Sequence, residues 1–229
     1  MNDPRLYAIL DLGYTPEDRA ENATASLLAG GVDLLQLRAK NHDLATIERV
    51  ARKLIPLCRA AGVPFILNDH PALAAQIGAD GVHIGQDDGS LADARRAIES
   101  ERGIHSGLHS FIHPSFLIGR STHSLAQARA ALAEGFDYIG FGPLFATPTK
   151  PGRPAIGLAE IAAMEAAVGS HIPAFCIGGI TPDTLPQVLS AGARRVVIVS
   201  ALLLAENVET ATGAVKETLS AEFRVRSAE

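Results

Sequence analysis

Eight short apolar runs alternate with eight longer amphipathic stretches along this chain, and nothing else in it restricts the fold as strongly. The runs are LYAIL (6–10), DLLQL (33–37), PFILN (64–68), GVHIG (81–85), SFLIG (115–119), DYIGF (137–141), PAFCIG (173–178) and RVVIVS (195–200). Helical patterns fall between and after them, over 16–29, 44–61, 71–77, 90–100, 125–134, 158–168, 185–190 and 208–223. Strands apolar along nearly their whole length read as a parallel sheet with both faces covered, and strict βα alternation supplies the covering helices. Eight such units in 229 residues close most naturally as a single (β/α)8 TIM barrel domain spanning 1–229, with an open doubly wound sheet as the competing architecture. Thr15 with Pro16 marks a helix start, Gly30-Gly31 a stop, Ser124 another N-cap, and Pro56 predicts a kink or restart in the second helix. Three segments echo one another: GGVDLLQLR (30–38), IGADGVHIG (77–85) and EGFDYIGFG (134–142). Each is a helix end, a glycine and an aspartate entering a strand, which reads as one αβ turn used repeatedly. SAGARRVVIVS (190–200) follows the scheme without the aspartate.

Composition narrows the partners. With 47% hydrophobic and 20% charged residues the chain has the makings of a packed core, and disorder is excluded. A formal net charge of −5 argues against coating nucleic acid or an anionic membrane, while leaving room for a local cationic pocket that takes a small anion. Two cysteines, Cys58 and Cys176, are too few for a disulfide framework and read as reduced core thiols. The first residues, MNDPRLYAILD, carry charges where a signal peptide would be apolar, and the apolar stretch 196–205 is far shorter than the ~20 residues of a bilayer span. A cytoplasmic protein working on small molecules is the expectation, with oligomeric state left open.

A barrel builds its site from the loops after the strands. The second run leads into Gln36, Leu37, Arg38, Ala39 and Lys40, and alternation puts Gln36, Arg38 and Lys40 on one side, an arrangement suited to an anion. The third ends in Asn68-Asp69 and the fourth in Gln86-Asp87-Asp88. Carboxylates from adjacent strand ends suit a hard cation such as Mg2+, which takes one or two of them plus substrate phosphates and water. Helix capping is the competing reading for both Asp69 and Asp88. Ser121 follows the fifth run. After the sixth comes a proline-stiffened loop with Thr147, Thr149 and Lys150, long enough for a binding loop. The seventh ends in Gly178-Gly179 and the eighth in Val199-Ser200, where many barrels bind phosphate.

GIHSGLHSFIHP (103–114) stands outside this scheme. It lengthens the connection near 100–117 and spaces His105, His109 and His113 four apart, but Gly107 and Pro114 work against a helix, so a surface loop is preferred to a metal site. His83, inside the fourth run, reads as a packed barrel residue. No Ser-His-Asp order, Walker loop or dinucleotide fingerprint is present.

QLRAK, LNDH, GADGVHIGQDD, GRSTHS, GFDYIGFGPLFATPTK, IGGITPD and VVIVSAL, in this order, closely resemble the thiamine-phosphate synthase family over roughly residues 6–205. The resemblance implies a (β/α)8 barrel that joins hydroxymethylpyrimidine diphosphate to hydroxyethylthiazole phosphate, or its carboxylated form, and releases pyrophosphate with Mg2+ as cofactor. It implies that Gln36 contacts the pyrimidine and that Arg38, Lys40, Asn68, Ser121 and Lys150 hold the diphosphate. Asp69 and Asp88 would bind Mg2+. Thr147 and Thr149 would line the thiazole side, and Gly179, Val199 and Ser200 would take its phosphate. The implied reaction is a dissociative substitution, in which Arg38, Lys40, Ser121 and Lys150 neutralise the leaving group and no general base is required. Arg120 departs from the small apolar residue common at this place. A similar arginine and the SxHS pattern occur in the thiazole tautomerase paralogues, where His123 would be an acid–base group. The intact metal and diphosphate set favours the synthase over that paralogue and over a non-catalytic phosphate-binding barrel.

Overall fold

The computed structural model describes residues 3–104, 116–147 and 154–226. Eight strands pair in parallel and in chain order: β1 (Leu6–Asp11), β2 (Leu34–Arg38), β3 (Phe65–Asn68), β4 (Gly81–Ile84), β5 (Leu117–Thr122), β6 (Tyr138–Phe141), β7 (Ala174–Ile177) and β8 (Val196–Ile198). β8 pairs back onto β1, with Leu6 opposite Val196, so the sheet closes as the expected barrel. Around it lie α1 (Glu17–Ala29), α2 (Leu44–Ala60), α3 (Pro71–Gln76), α4 (Leu91–Ile104), α5 (Leu125–Glu134), α6 (Ile161–Met164), α7 (Leu185–Ser190), α8 (Ser200–Leu203) and α9 (Val208–Arg226). No helix among the described residues is long and apolar enough to cross a membrane.

Strand alternation divides the core in two. Leu6, Ala8, Leu10, Leu35 and Leu37 join the large cluster between strands and helices. Tyr7, Ile9, Leu34, Ile66, Leu117, Tyr138, Phe175 and Val197 form a second cluster inside the barrel. Its aromatic members meet edge to face, with Tyr7 and Tyr138 centroids 5.9 Å apart and Tyr7 and Phe175 5.3 Å apart. Gly119 makes room for this cluster, since a Cβ there would lie 2.1 Å from the Tyr138 ring. This cluster therefore plugs the barrel at depth.

The repeated aspartate has a structural purpose that spacing alone did not show. Asp33, entering β2, accepts from the backbone N–H groups of Arg5 (2.8 Å) and Leu6 (2.9 Å) at the start of β1. Asp80, entering β4, accepts from Phe65 of β3 at 2.8 Å, and Asp137, entering β6, accepts from Ile118 of β5 at 2.8 Å. Each carboxylate thus holds the beginning of the preceding strand and fixes register at the end remote from the cavity. Lys216 of α9 adds a 2.5 Å contact to Asp33, tying the closing helix to the same end.

Several boundaries differ from the sequence reading for local reasons. Pro56 lies inside a continuous α2: its exposed position leaves the unpaired carbonyl to water, while Ile47, Val50, Ala51, Leu54, Ile55 and Cys58 keep one face buried. α1 begins at Glu17 with Pro16 at the cap, one residue beyond the Thr15 expectation. β5 continues past its apolar run, because Arg120, Ser121 and Thr122 pair with Ile139, Gly140 and Phe141 and the Thr122 hydroxyl donates to the Gly140 carbonyl at 3.0 Å. α6 is only one turn and passes into a π-helical turn over Glu165–Gly169. The run at 195–200 is strand only as far as Ile198, with Ser200 already opening α8. Ser124 caps α5 as expected, accepting from Gln127 N–H at 3.2 Å.

Candidate active site

A cavity of about 260 Å³ opens at the C-terminal ends of the strands. Its polar floor is a chain of hydrogen bonds. The Gln36 amide donates to the Tyr7 hydroxyl at 2.5 Å, and Tyr7 and Tyr138 share a bond of 3.1 Å. Tyr138 reaches His83 Nδ1 at 3.2 Å, and His83 Nε2 reaches the Ser121 hydroxyl at 3.0 Å. With Gln36 donating, one consistent direction passes a proton donor from each group to the next: Tyr7 to Tyr138, Tyr138 to His83 Nδ1, and His83 Nε2–H to Ser121. Burial pushes the phenols of Tyr7 and Tyr138 well above their ordinary range, so both remain protonated donors at neutral pH. His83 is packed as expected, and its ring also lines the cavity.

The β2–β3 side is cationic and amide-bearing. Arg38 and Asn68 line the cavity. Arg38 forms an ion pair with buried Asp11, whose other oxygen accepts from Gly13 N–H at 2.8 Å. Outside Arg38, Lys40 Nζ stands 2.6 Å from Asp69. Asp69 has φ +67, a left-handed conformation unusual for a non-glycine residue, and its N–H is held by the His83 carbonyl at 2.9 Å. Burial raises the Asp69 carboxyl above the ordinary range; Lys40 pulls it down and the neighbouring Asp88 pushes it up. The two candidate metal carboxylates are therefore close enough to influence one another.

Neither of them caps a helix. His70 precedes α3. α4 is capped by Ser90, whose hydroxyl accepts from Asp93 N–H at 3.1 Å while Asp93 accepts from Ser90 N–H at 3.0 Å. Asp88 instead accepts from Gly85 N–H at 2.8 Å within its own loop.

Opposite lies a backbone-rich side. Gly178, Gly179, Val199 and Ser200 line the cavity, with Thr147 beside them. Gly179 has φ +68, and a Cβ there would approach Phe145 Cβ to 2.7 Å and the Ala146 carbonyl to 2.9 Å. Only glycine lets the β7 loop lie this close to the β6 loop. His123 closes the remaining wall, its Nδ1–H donating to the Gly142 carbonyl. Among the described lining residues there is no carboxylate. Thr149 and Lys150 lie outside the described residues, as do His105, His109 and His113.

Comparison with known proteins gives this arrangement a family. The sequence profile described as thiamine monophosphate synthase matches residues 6–202. The chain belongs to the thiamine monophosphate synthase family. Among its members, a thiamine-phosphate synthase of Thermus thermophilus is 45% identical over 202 residues, 88% of each chain. That of Mycolicibacterium vanbaalenii is 40% identical over 230 residues, 96% of each chain. A solved thiamine phosphate pyrophosphorylase from Pyrococcus furiosus superposes with a TM-score of 0.79 at 29% identity, covering 96% of this chain and 98% of that one. Membership makes this chain an enzyme of the transferase class and bears out the resemblance read from its motifs.

Of the residues singled out by sequence, Gln36, Arg38, Asn68, Ser121, Thr147, Gly179, Val199 and Ser200 meet around this cavity. Lys40, Asp69 and Asp88 do not line it; they gather with one another next to the lining residue Asn68. Sequence reasoning missed Tyr7, Tyr138 and Asp11. Tyr7 and Tyr138 sit inside runs that read as apolar and Asp11 directly after one; the available signal was the alternation of Tyr7 with Ile9 and Asp11 on β1 and of Tyr138 with Gly140 on β6.

Proposed function

We propose that the chain condenses hydroxymethylpyrimidine diphosphate with hydroxyethylthiazole phosphate to give thiamine phosphate and pyrophosphate, or takes the carboxylated thiazole and releases carbon dioxide as well. The observation that carries this reading is a single cavity with two different anion-holding sides. Arg38, Asn68 and nearby Lys40 face one way, and the backbone of Gly178–Gly179 and Val199–Ser200 faces the other, over a neutral hydrogen-bonding floor. Such a cavity suits two phosphorylated substrates lying tail to tail with their reacting atoms between.

In the reaction the C–O bond between the pyrimidine methylene and the diphosphate breaks, and the electron pair leaves with pyrophosphate. The thiazole nitrogen lone pair then forms the new C–N bond; the plain thiazole exchanges no proton, whereas the carboxylated one also loses carbon dioxide, the electron pair of the broken C–C bond staying on the ring carbon, which takes up a proton from water. Arg38, Lys40, Ser121 and Lys150 stabilise the departing charge in this reading, Asn68 orients it, and Gln36 holds the pyrimidine edge. Thr147 and Thr149 flank the thiazole. The described lining has no carboxylate base, and this chemistry needs none.

Mg2+ fits the donor set. Asp69 and Asp88 offer two neighbouring hard-oxygen groups beside the cationic side, and the described residues hold no cluster of three or more metal-ligating side chains. A site of two carboxylates that relies on substrate phosphates for its other ligands has that composition. When bound, the metal supplies charge neutralisation to the diphosphate. A one-domain barrel with these substrates fits work in the cytoplasm without nucleic acid or membrane partners.

The tautomerase alternative draws on Arg120 and His123 together. Arg120 does not line the cavity; it donates to backbone carbonyls of the β4–α4 loop. The test is turnover. Purified protein, both substrates and Mg2+ should yield thiamine phosphate and pyrophosphate, and EDTA should abolish product. Folded protein that forms none would refute the proposal.

A further inference from the structure

We infer that Arg120 is a positioning residue that staples the β4–α4 loop so that Asp88 is held facing Asp69. This rests on the reading of those two carboxylates as metal ligands. On β5 the neighbouring Ser121 lines the cavity, whereas Arg120 reaches outward across the adjacent strand. Its Nη1 donates to the Gly89 carbonyl at 2.7 Å and its Nη2 to the Gln86 carbonyl at 3.3 Å. The guanidinium carbon lies 5.4 Å from the Phe136 ring centroid, which limits where the group can swing.

The two carbonyls flank Asp87 and Asp88 on either side. The loop they bound is a tight turn, with Asp88 N–H donating to the Gly85 carbonyl at 3.3 Å and Gly85 N–H donating to the Asp88 carboxylate at 2.8 Å. Gln86 provides a third tie to the same strand, donating to the Ser121 carbonyl at 2.6 Å. Residues 87–90 are all exposed, so core packing does not keep the turn from opening. A planar fork spanning two carbonyls resists that opening, and a lysine cannot reproduce it.

The staple and a bare-charge effect predict opposite signs. A cation acting only through its field would repel Mg2+, so its removal would tighten metal binding. A cation acting through loop geometry would weaken metal binding when removed. The experiment titrates the full chain with Mn2+, followed by water proton relaxation, in wild type, Arg120→Met, Arg120→Lys and Asp88→Asn. The staple predicts affinity about tenfold weaker in Arg120→Met, as for other residues that orient metal ligands, and an intermediate loss in Arg120→Lys despite its retained charge. It also predicts faster amide hydrogen exchange over 85–89 in both. Affinity unchanged or tighter in Arg120→Met, with binding lost in Asp88→Asn, overturns the staple alone. Should Arg120→Met not fold, Arg120→Lys decides: wild-type affinity and exchange there overturn the proposal. Wild-type Mn2+ binding in Asp88→Asn removes the metal reading itself, and the staple's purpose with it.

Discussion

Tyr138→Phe should destabilise the barrel far more than loss of one oxygen atom suggests. The Tyr138 hydroxyl is bonded to Tyr7 at 3.1 Å and to His83 at 3.2 Å, and its side chain is 1% exposed, so bulk water cannot replace it. The phenylalanine ring would keep the edge-to-face packing on Tyr7 and Phe175, at 5.9 and 6.0 Å between centroids, so the apolar contribution is unchanged. What is lost is two hydrogen bonds whose partners remain buried. At about 1–1.5 kcal/mol each, the loss is about 2–3 kcal/mol. For a chain of this length that is a fall in Tm of about 5–10 °C. Urea unfolding followed by far-ultraviolet circular dichroism at pH 7 measures it, and the m-value should not change. Tyr7→Phe breaks the same shared bond, so the double variant should lose about 1 kcal/mol less than the sum of the singles. A loss below about 0.5 kcal/mol in Tyr138→Phe would refute the interlocked floor.

The remaining predictions concern charge, metal, register and thiols. Arg38→Ala should lower kcat/KM for the diphosphate substrate about 100-fold, with a smaller drop for the more exposed Lys40→Ala. Asp69→Ala should abolish the Mg2+ dependence of turnover while circular dichroism stays that of the wild type; full activity would remove the metal assignment. Asp33→Ala removes two charge-assisted bonds at the start of β1 together with the Lys216 contact, and should lower urea-unfolding stability by about 2–4 kcal/mol without changing KM. Burial, followed by the charge of Asp80, pushes the Cys58 thiol up to about 12. An unfolded thiol ionises near ~8.5, so stability is full below that pH and falls as pH rises from there toward about 12; urea midpoints at pH 8 and 10 should differ by less in Cys58→Ala than in wild type.

What the sequence made legible follows from where its signal lay. Fully apolar strands and capped helices announced the barrel, because both faces of a parallel sheet must be buried. Motif residues at strand ends announced the rim, because loops there have little other reason to collect Gln36, Arg38, Asn68 and Asp69. The floor stayed hidden, since Tyr7 and Tyr138 look like ordinary hydrophobic strand residues until closure brings β1 and β6 across the barrel from each other. Asp11 was hidden for the same reason: its partner Arg38 is 27 residues away and meets it only through β1–β2 register. Strand β5 looked shorter than it is because Arg120, Ser121 and Thr122 are polar, yet each has a bonded partner that stands in for water. The αβ turn was recognised as a repeat, but its aspartate revealed its purpose only when each carboxylate was seen on the strand before it.

Everything proposed for the site depends on one cavity holding two phosphorylated substrates on opposite sides. A crystal structure of the protein with thiamine phosphate, pyrophosphate and Mg2+ tests it most directly. Pyrophosphate is expected against Arg38, Lys40 and Asn68, with the metal between it and Asp69 and Asp88. The monophosphate of the product is expected on the backbone of Gly178–Gly179 and Val199–Ser200, with the pyrimidine above Gln36. Pyrophosphate seated away from Arg38, or both phosphates on one side of the cavity, would contradict it.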